Sequence, residues 1–142
     1  LYTSLLPNLL VPELVSAIKR SRAPRLYICN LMTQPGETDG LDVRGHIRAI
    51  EAQLASLGIE TRLFNAVLAQ DDLPASDLVR YYQSRGADPV RCDAEGLRAD
   101  GYNVTQAPLQ GVRPTATLRH DSRSLALAVM RFYRSHRRER DQ

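Results

Sequence analysis

Three observations predict an α/β fold with a mostly parallel sheet buried between helices. Helix-like and strand-like segments alternate along the chain, which is the order of βαβ units. The strand-like runs are short, apolar and rich in β-branched or aromatic residues, too short for helices. The longer segments instead repeat apolar residues every three or four positions. With 142 residues, 43% of them hydrophobic, the chain supports one domain with its own core.

Taken in order, Pro12 to Arg20 predicts a helix with proline in its first turn, where a missing N–H costs nothing. Arg25 to Cys29 predicts a buried strand through Leu26, Tyr27 and Ile28. Val43, Ile47, Ile50, Leu54 and Leu57 form one face of a helix, with Asp42 as its amino-terminal cap and Gly58 as its stop. A strand is expected within Thr61 to Leu68, a helix from Ala75 to Arg85, a short strand at Val90 to Cys92 and a helix from Asp93 to Asp100. Asn103 to Ala107 completes the strand set, and Pro108 to Pro114 reads as a polar Gly/Pro loop. The last helix starts near Ser122, carries Leu125, Val129 and Phe132 on one face, and enters an arginine-rich tail. Residues 1–130 form the α/β unit and residues 131–142 a basic helix end or tail.

The net charge of +3 carries no general preference for nucleic acid. Arg131, Arg134, Arg137, Arg138 and Arg140, set against Glu139 and Asp141, account for all of it. Cations at a helix carboxyl end suit the helix dipole, and the tail lacks the interleaved aromatics that stack on bases. Nucleic acid and membrane are therefore disfavoured as partners, and no apolar run approaches the roughly 20 residues of a membrane span. The chain opens on Leu1 without a signal sequence or a methionine, so a domain cut from a longer protein is expected. Cys29 and Cys92 give neither a disulfide framework nor a metal spacing, and fit a reducing cytosol.

Four places can carry binding chemistry. The run from Cys29 to Gly40 leaves the carboxyl end of a strand, where α/β sheets place ligands, and is either a ligand loop or an ordinary turn. Arg119-His120-Asp121 lies before the final helix, so Arg119 can grip a phosphate beside a helix start or sit in a surface ion pair. Tyr81-Tyr82 offers an aromatic face and a hydroxyl, or packing alone. Thr3 and Ser4 precede a helix-like stretch and either line a phosphate site or cap that helix. No Gly-rich nucleotide fingerprint, metal-spaced His/Cys cluster or nucleophile elbow is present in the sequence.

Leu1-Tyr2-Thr3-Ser4-Leu5-Leu6-Pro7-Asn8-Leu9-Leu10-Val11, Cys29 to Asp39 with its Met32-Thr33-Gln34-Pro35-Gly36-Glu37-Thr38 string, Gly86-Ala87-Asp88-Pro89-Val90, and Arg119-His120-Asp121 occur in that order. Together they resemble the carboxyl-terminal half of the bacterial gluconeogenesis-factor proteins, in the superfamily of 2-phospho-L-lactate transferase. The resemblance implies a Rossmann-like fold, incomplete at the amino terminus because the family's Gly-rich strand–turn–helix is outside this chain. It also implies a cytoplasmic regulator of carbon metabolism and cell shape that binds a UDP-sugar such as UDP-N-acetylglucosamine; a transferase is the alternative. Thr3, Ser4, Asn30, Thr33, Gln34, Gly36, Glu37, Thr38, Tyr82 and Arg119 are then the expected ligand-binding residues, with no catalytic residue or metal ligand assigned. Gly36 would allow close backbone approach, while Glu37 would hold the loop or meet sugar hydroxyls. Assembly into a homo-oligomer is left open.

Overall fold

The computed structural model describes residues 1–59, 62–112 and 117–140. Thr61, Arg113, Pro114, Ala116 and the last two tail residues, on which some sequence expectations fall, lie outside the described residues. The elements run α1 (Leu6–Leu9), α2 (Pro12–Arg20), β1 (Leu26–Ile28), α3 (Val43–Ser56), β2 (Ala66–Gln70) and α4 (Ser76–Gln83). Then follow α5 (Ala94–Ala99), β3 (Asn103–Ala107), β4 (Gln110–Val112), β5 (Leu118–His120) and α6 (Ser122–Arg140).

β1, β2 and β3 form a parallel sheet with β2 in the centre, Tyr27 opposite Val67 and Val67 opposite Val104. Both faces of this sheet are covered, as parallel strands require. Side chains alternate accordingly: Tyr27, Cys29, Val67, Ala69 and Val104 join one core with α3, and Leu68 joins the other with Leu78 and Ala128. The sequence pattern of α3 explains its seat, since Val43, Ile47, Ile50 and Leu54 all fall on the buried face. Ile50 and Leu54 are fully buried, worth about 1.5–3 kcal/mol each by transfer. Asp42 caps this helix by accepting the Gly45 N–H at 2.6 Å. At the other end Gly58 has φ +73°, its N–H bonds to Ala55, and Ile59 bonds back to Leu54, so the glycine closes the last turn.

Three sequence expectations need correction. The second strand occupies Ala66–Gln70 rather than the span ending at Leu68, because Leu63 is buried and Phe64 packs on Tyr27 before pairing with β1 begins. Val90 to Cys92 is not a strand of the sheet: Met32 bridges Pro89, and Val90 N–H bonds to Leu31 O at 3.0 Å. The expected loop at Pro108 to Pro114 contains β4, which pairs antiparallel with β5, Gly111 opposite Arg119. The Rossmann-like α/β reading holds through these shifts, and α6 continues through the arginine-rich stretch to Arg140. No helix among the described residues is long and apolar enough to cross a membrane.

Candidate functional site

The segment leaving β1, strand β5 and Tyr82 on α4 surround a cleft of about 600 Å³. Ser4, Asn30, Thr33, Gln34, Tyr82 and Arg119 all line it, over apolar walls from Leu1, Leu5, Tyr27, Ile28, Leu31 and Met32. Residues separated by more than a hundred positions therefore meet at the carboxyl end of β1, where this topology places ligands.

The loop is braced from two sides. Thr33 is 5% exposed; its N–H donates to Asp88 O at 2.8 Å and its hydroxyl oxygen accepts the Asp88 N–H at 2.8 Å. Gln34 and Glu37 reach the amino-terminal segment. Glu37 accepts the Thr3 N–H at 2.7 Å, and its second oxygen lies 3.1 Å from the Leu1 nitrogen, which also lies 3.3 Å from Gln34 Oε1. Burial works to raise the Glu37 carboxyl, but the hydrogen bonds from Thr3 bring it below its ordinary value. Among the described residues Asn30 Nδ2 makes a single long 3.4 Å contact, with Gln34, which leaves its amide with capacity to spare.

Not every expected residue faces this cleft. Thr3, Gly36 and Glu37, with Gln34, line a second and more open depression of about 660 Å³ beside it. Gly36 has φ +76° with nothing near the place of a Cβ, and its N–H donates to Asp39 at 2.6 Å, so its glycine character serves the turn. Thr38 is corrected more sharply. It is fully buried, and its hydroxyl oxygen accepts the Gln34 N–H at 2.8 Å, which makes it an internal strut rather than a wall of the cleft.

On the far wall, Tyr82 accepts the Leu118 N–H at 2.8 Å, and its phenolic proton stays available to donate. Arg119 is exposed and stands at the lining of the cleft. The helix start beyond it is already served: Asp121 accepts the Ser124 N–H at 2.8 Å, and those bonds hold its carboxyl below the usual value. An anion is thus better placed on Arg119 than on the first turn of α6. Gly111 fits this corner closely, since a Cβ there would lie 3.2 Å from Asp121 Cβ. His120 also lines the cleft, with Nε2 3.1 Å from the Cys29 carbonyl. Sequence reasoning singled out its triplet but did not select it; the signal was its place on a short strand ending at the same corner as Arg119.

The described lining includes one arginine, several amides and hydroxyls and an apolar floor, a composition that suits a phosphorylated polar molecule with an uncharged part. Among the described residues no group of three or more His, Cys, Asp or Glu could hold a metal ion.

Comparison with known proteins shows which family the chain resembles. The family model described as 2-phospho-L-lactate transferase CofD matches residues 1–110. A Bacillus subtilis protein named gluconeogenesis factor is 36% identical over 126 residues, covering 89% of this chain and 38% of that protein. A Nostoc sp. relative that also carries the factor's name is 43% identical over 134 residues, covering 94% of this chain and 28% of its own. The crystal structure of a UPF0052-family protein from Bacillus halodurans superposes with a TM-score of 0.81 at 34% identity, over 89% of this chain and 39% of that one. The chain thus spans well under half the length of the relatives it matches.

Proposed function

The chain belongs to the 2-phospho-L-lactate transferase CofD family, and we propose that within it this chain forms part of a UDP-sugar-binding regulator of the gluconeogenesis-factor kind. The observation that carries the reading is the meeting of Arg119 and Tyr82 with Asn30, Thr33 and Gln34 around one cleft at the end of β1. A diphosphate presents oxygens to the guanidinium, which can hold them by paired charge-assisted bonds. A sugar or uridine presents hydroxyls and carbonyls to Asn30, Ser4 and the Tyr82 hydroxyl. The apolar walls suit the flat faces of both rings. The ligand would resemble UDP-N-acetylglucosamine, and the whole protein would act in the bacterial cytoplasm, coupling carbon metabolism to cell shape through the bound state.

The test is direct titration of the full-length protein with UDP-N-acetylglucosamine. Arg119→Ala should weaken binding by about 1.5–3 kcal/mol through loss of a charge-assisted bond. Unchanged affinity rejects the role of Arg119, and no binding by the unaltered protein rejects the reading itself.

A second reading follows from the name of the family model, which is that of a transferase. Transfer needs an acceptor held in line with the donor and stabilisation of developing charge. Incubation with UDP-sugar, a divalent metal and a 2-phospholactate-like acceptor separates the two. Nucleotide release that Asn30→Ala or Arg119→Ala abolishes would favour the transferase.

A further inference from the structure

We infer that His120 is a specificity-determining residue of the cleft, and that its Nδ1 accepts a hydrogen bond from a hydroxyl or N–H of the ligand. The inference rests on the UDP-sugar reading above and says which part of such a molecule meets this wall. The tautomer follows from the structure. Nε2 lies 3.1 Å from the Cys29 carbonyl oxygen, which can only accept, so Nε2 carries a proton. In the neutral ring Nδ1 is then an acceptor. The ring is half-buried and lines the cleft, while Nδ1 has no partner among the described residues. Burial holds His120 below the ordinary histidine value, with the Cys29 hydrogen bond acting the other way, so the neutral ring prevails at pH 7.

A neutral acceptor has a definite preference. Phosphate oxygens are themselves acceptors and gain nothing from it, whereas Arg119 on the neighbouring position attracts them. His120 therefore sorts the ligand's groups: anionic oxygens toward Arg119, proton-donating groups toward Nδ1. The Cys29 carbonyl fixes the ring's orientation in the same way that outer partners fix the orientation of a working histidine elsewhere. Since the residue that follows β1 supplies that carbonyl and β5 supplies the ring, the contact also ties the two walls of the cleft together.

Two variants separate this role from a structural one. In His120→Gln the amide nitrogen can stand near the Nε2 position and keep the Cys29 bond, while nothing occupies the Nδ1 position. In His120→Asn the amide oxygen can replace Nδ1 while the Cys29 bond is lost. Full-length protein is titrated with UDP and with UDP-N-acetylglucosamine. His120→Gln should bind about tenfold more weakly, the measure of one hydrogen bond, and His120→Asn should recover part of that loss. Loss with both ligands assigns the donor to the uridine half, and loss with UDP-N-acetylglucosamine alone assigns it to the sugar; either supports the inference. Wild-type affinity in His120→Gln, or equal losses in the two variants, overturns it while the UDP-sugar reading stands. Failure of the unaltered protein to bind either ligand removes that reading, and the inference with it.

Discussion

Thr33→Val is the most decisive single change, because it separates bracing of the cleft from contact with the ligand. Valine keeps the shape and the β-branch of threonine, so the rotamer and the packing at this 5% exposed site should persist. What disappears is the hydroxyl oxygen that accepts the Asp88 N–H at 2.8 Å. The adjacent ladder, Thr33 N–H to Asp88 O and Val90 N–H to Leu31 O, holds the Asp88 amide in place, so the orphaned donor has little freedom to turn to water. An unsatisfied buried donor costs about 1–3 kcal/mol, and this part-buried one falls in the lower half, about 1–2. For a chain of this length the unfolding entropy is about 0.3 kcal/mol/K, so the midpoint should fall by roughly 3–7 °C. Calorimetry on wild type, Thr33→Val and Thr33→Ser measures this. Thr33→Ser keeps the hydroxyl and should lose less than valine does. A valine variant that melts within a degree of wild type, or a serine variant that is equally damaged, would refute the hydrogen-bond argument. If the valine variant melts early yet binds UDP-N-acetylglucosamine normally below its midpoint, Thr33 is a brace and not a ligand contact.

The other predictions concern the supports of the cleft. Asp42→Ala should cost about 1 kcal/mol by removing the cap on Gly45 N–H, while Asp42→Asn should stay close to wild type in chemical denaturation. His46 is fully buried, with Nδ1 on the Asp42 carbonyl at 2.8 Å and Nε2 without a partner among the described residues; burial holds its pKa below 6.5. The unfolded chain then binds the proton first, so stability is full above about pH 6.5 and is lost as pH falls toward the lower folded value. Melting between pH 7.5 and 5.5 should show that slope, and His46→Leu should flatten it; an identical slope in the variant would assign the effect elsewhere. Glu37→Ala should speed hydrogen exchange at the Thr3 amide, which loses its carboxylate acceptor, and unchanged exchange would show that the pairing is not kept in solution.

Local physics made much of the fold legible in the sequence. The apolar period of α3, the Asp42 cap and the Gly58 stop all act within a few residues, so they read directly. Strand β1 was equally plain because Leu26, Tyr27 and Ile28 are apolar and bracketed by turn-forming residues. Val90 to Cys92 was misread for a reason of the opposite kind: an apolar triplet can be extended without joining the sheet, and here it packs along the loop after β1. β4 was hidden because Gln110 and Gly111 have no strand signature, and only the distant partner β5 makes them one. In the site, the loop and Arg119 were identifiable by residue type. Thr38 was not, since an exposed and a buried threonine look alike until the fold places one of them behind Gln34. His120 needed the Cys29 carbonyl, 91 positions away, to acquire a defined tautomer.

These placements divide the polar residues of the cleft by what their hydrogen-bonding capacity is used for. Thr33, Thr38 and Glu37 spend theirs on Asp88, Gln34 and Thr3, and so fix the loop before any ligand arrives. Among the described residues, Asn30 beyond its long contact with Gln34, the Tyr82 hydroxyl proton and His120 Nδ1 keep capacity at the cleft, which Arg119 also lines. Such a division favours binding, because ordering a loop and its side chains at the moment of association would consume part of the interaction energy. It also means that a string with many polar residues in Met32 to Thr38 would have few of them left for a ligand. Most of that string builds the rigid edge, and on the proposed reading the recognising groups would be Asn30, just before the string, and residues of the opposite wall. Substitutions in the first set should therefore change stability and affinity together. Substitutions of Asn30 or Arg119 should change affinity at nearly constant stability, whereas those of Tyr82 and His120, which also bond to Leu118 N–H and the Cys29 carbonyl, should move both, so titration and melting data on the same variants test the division.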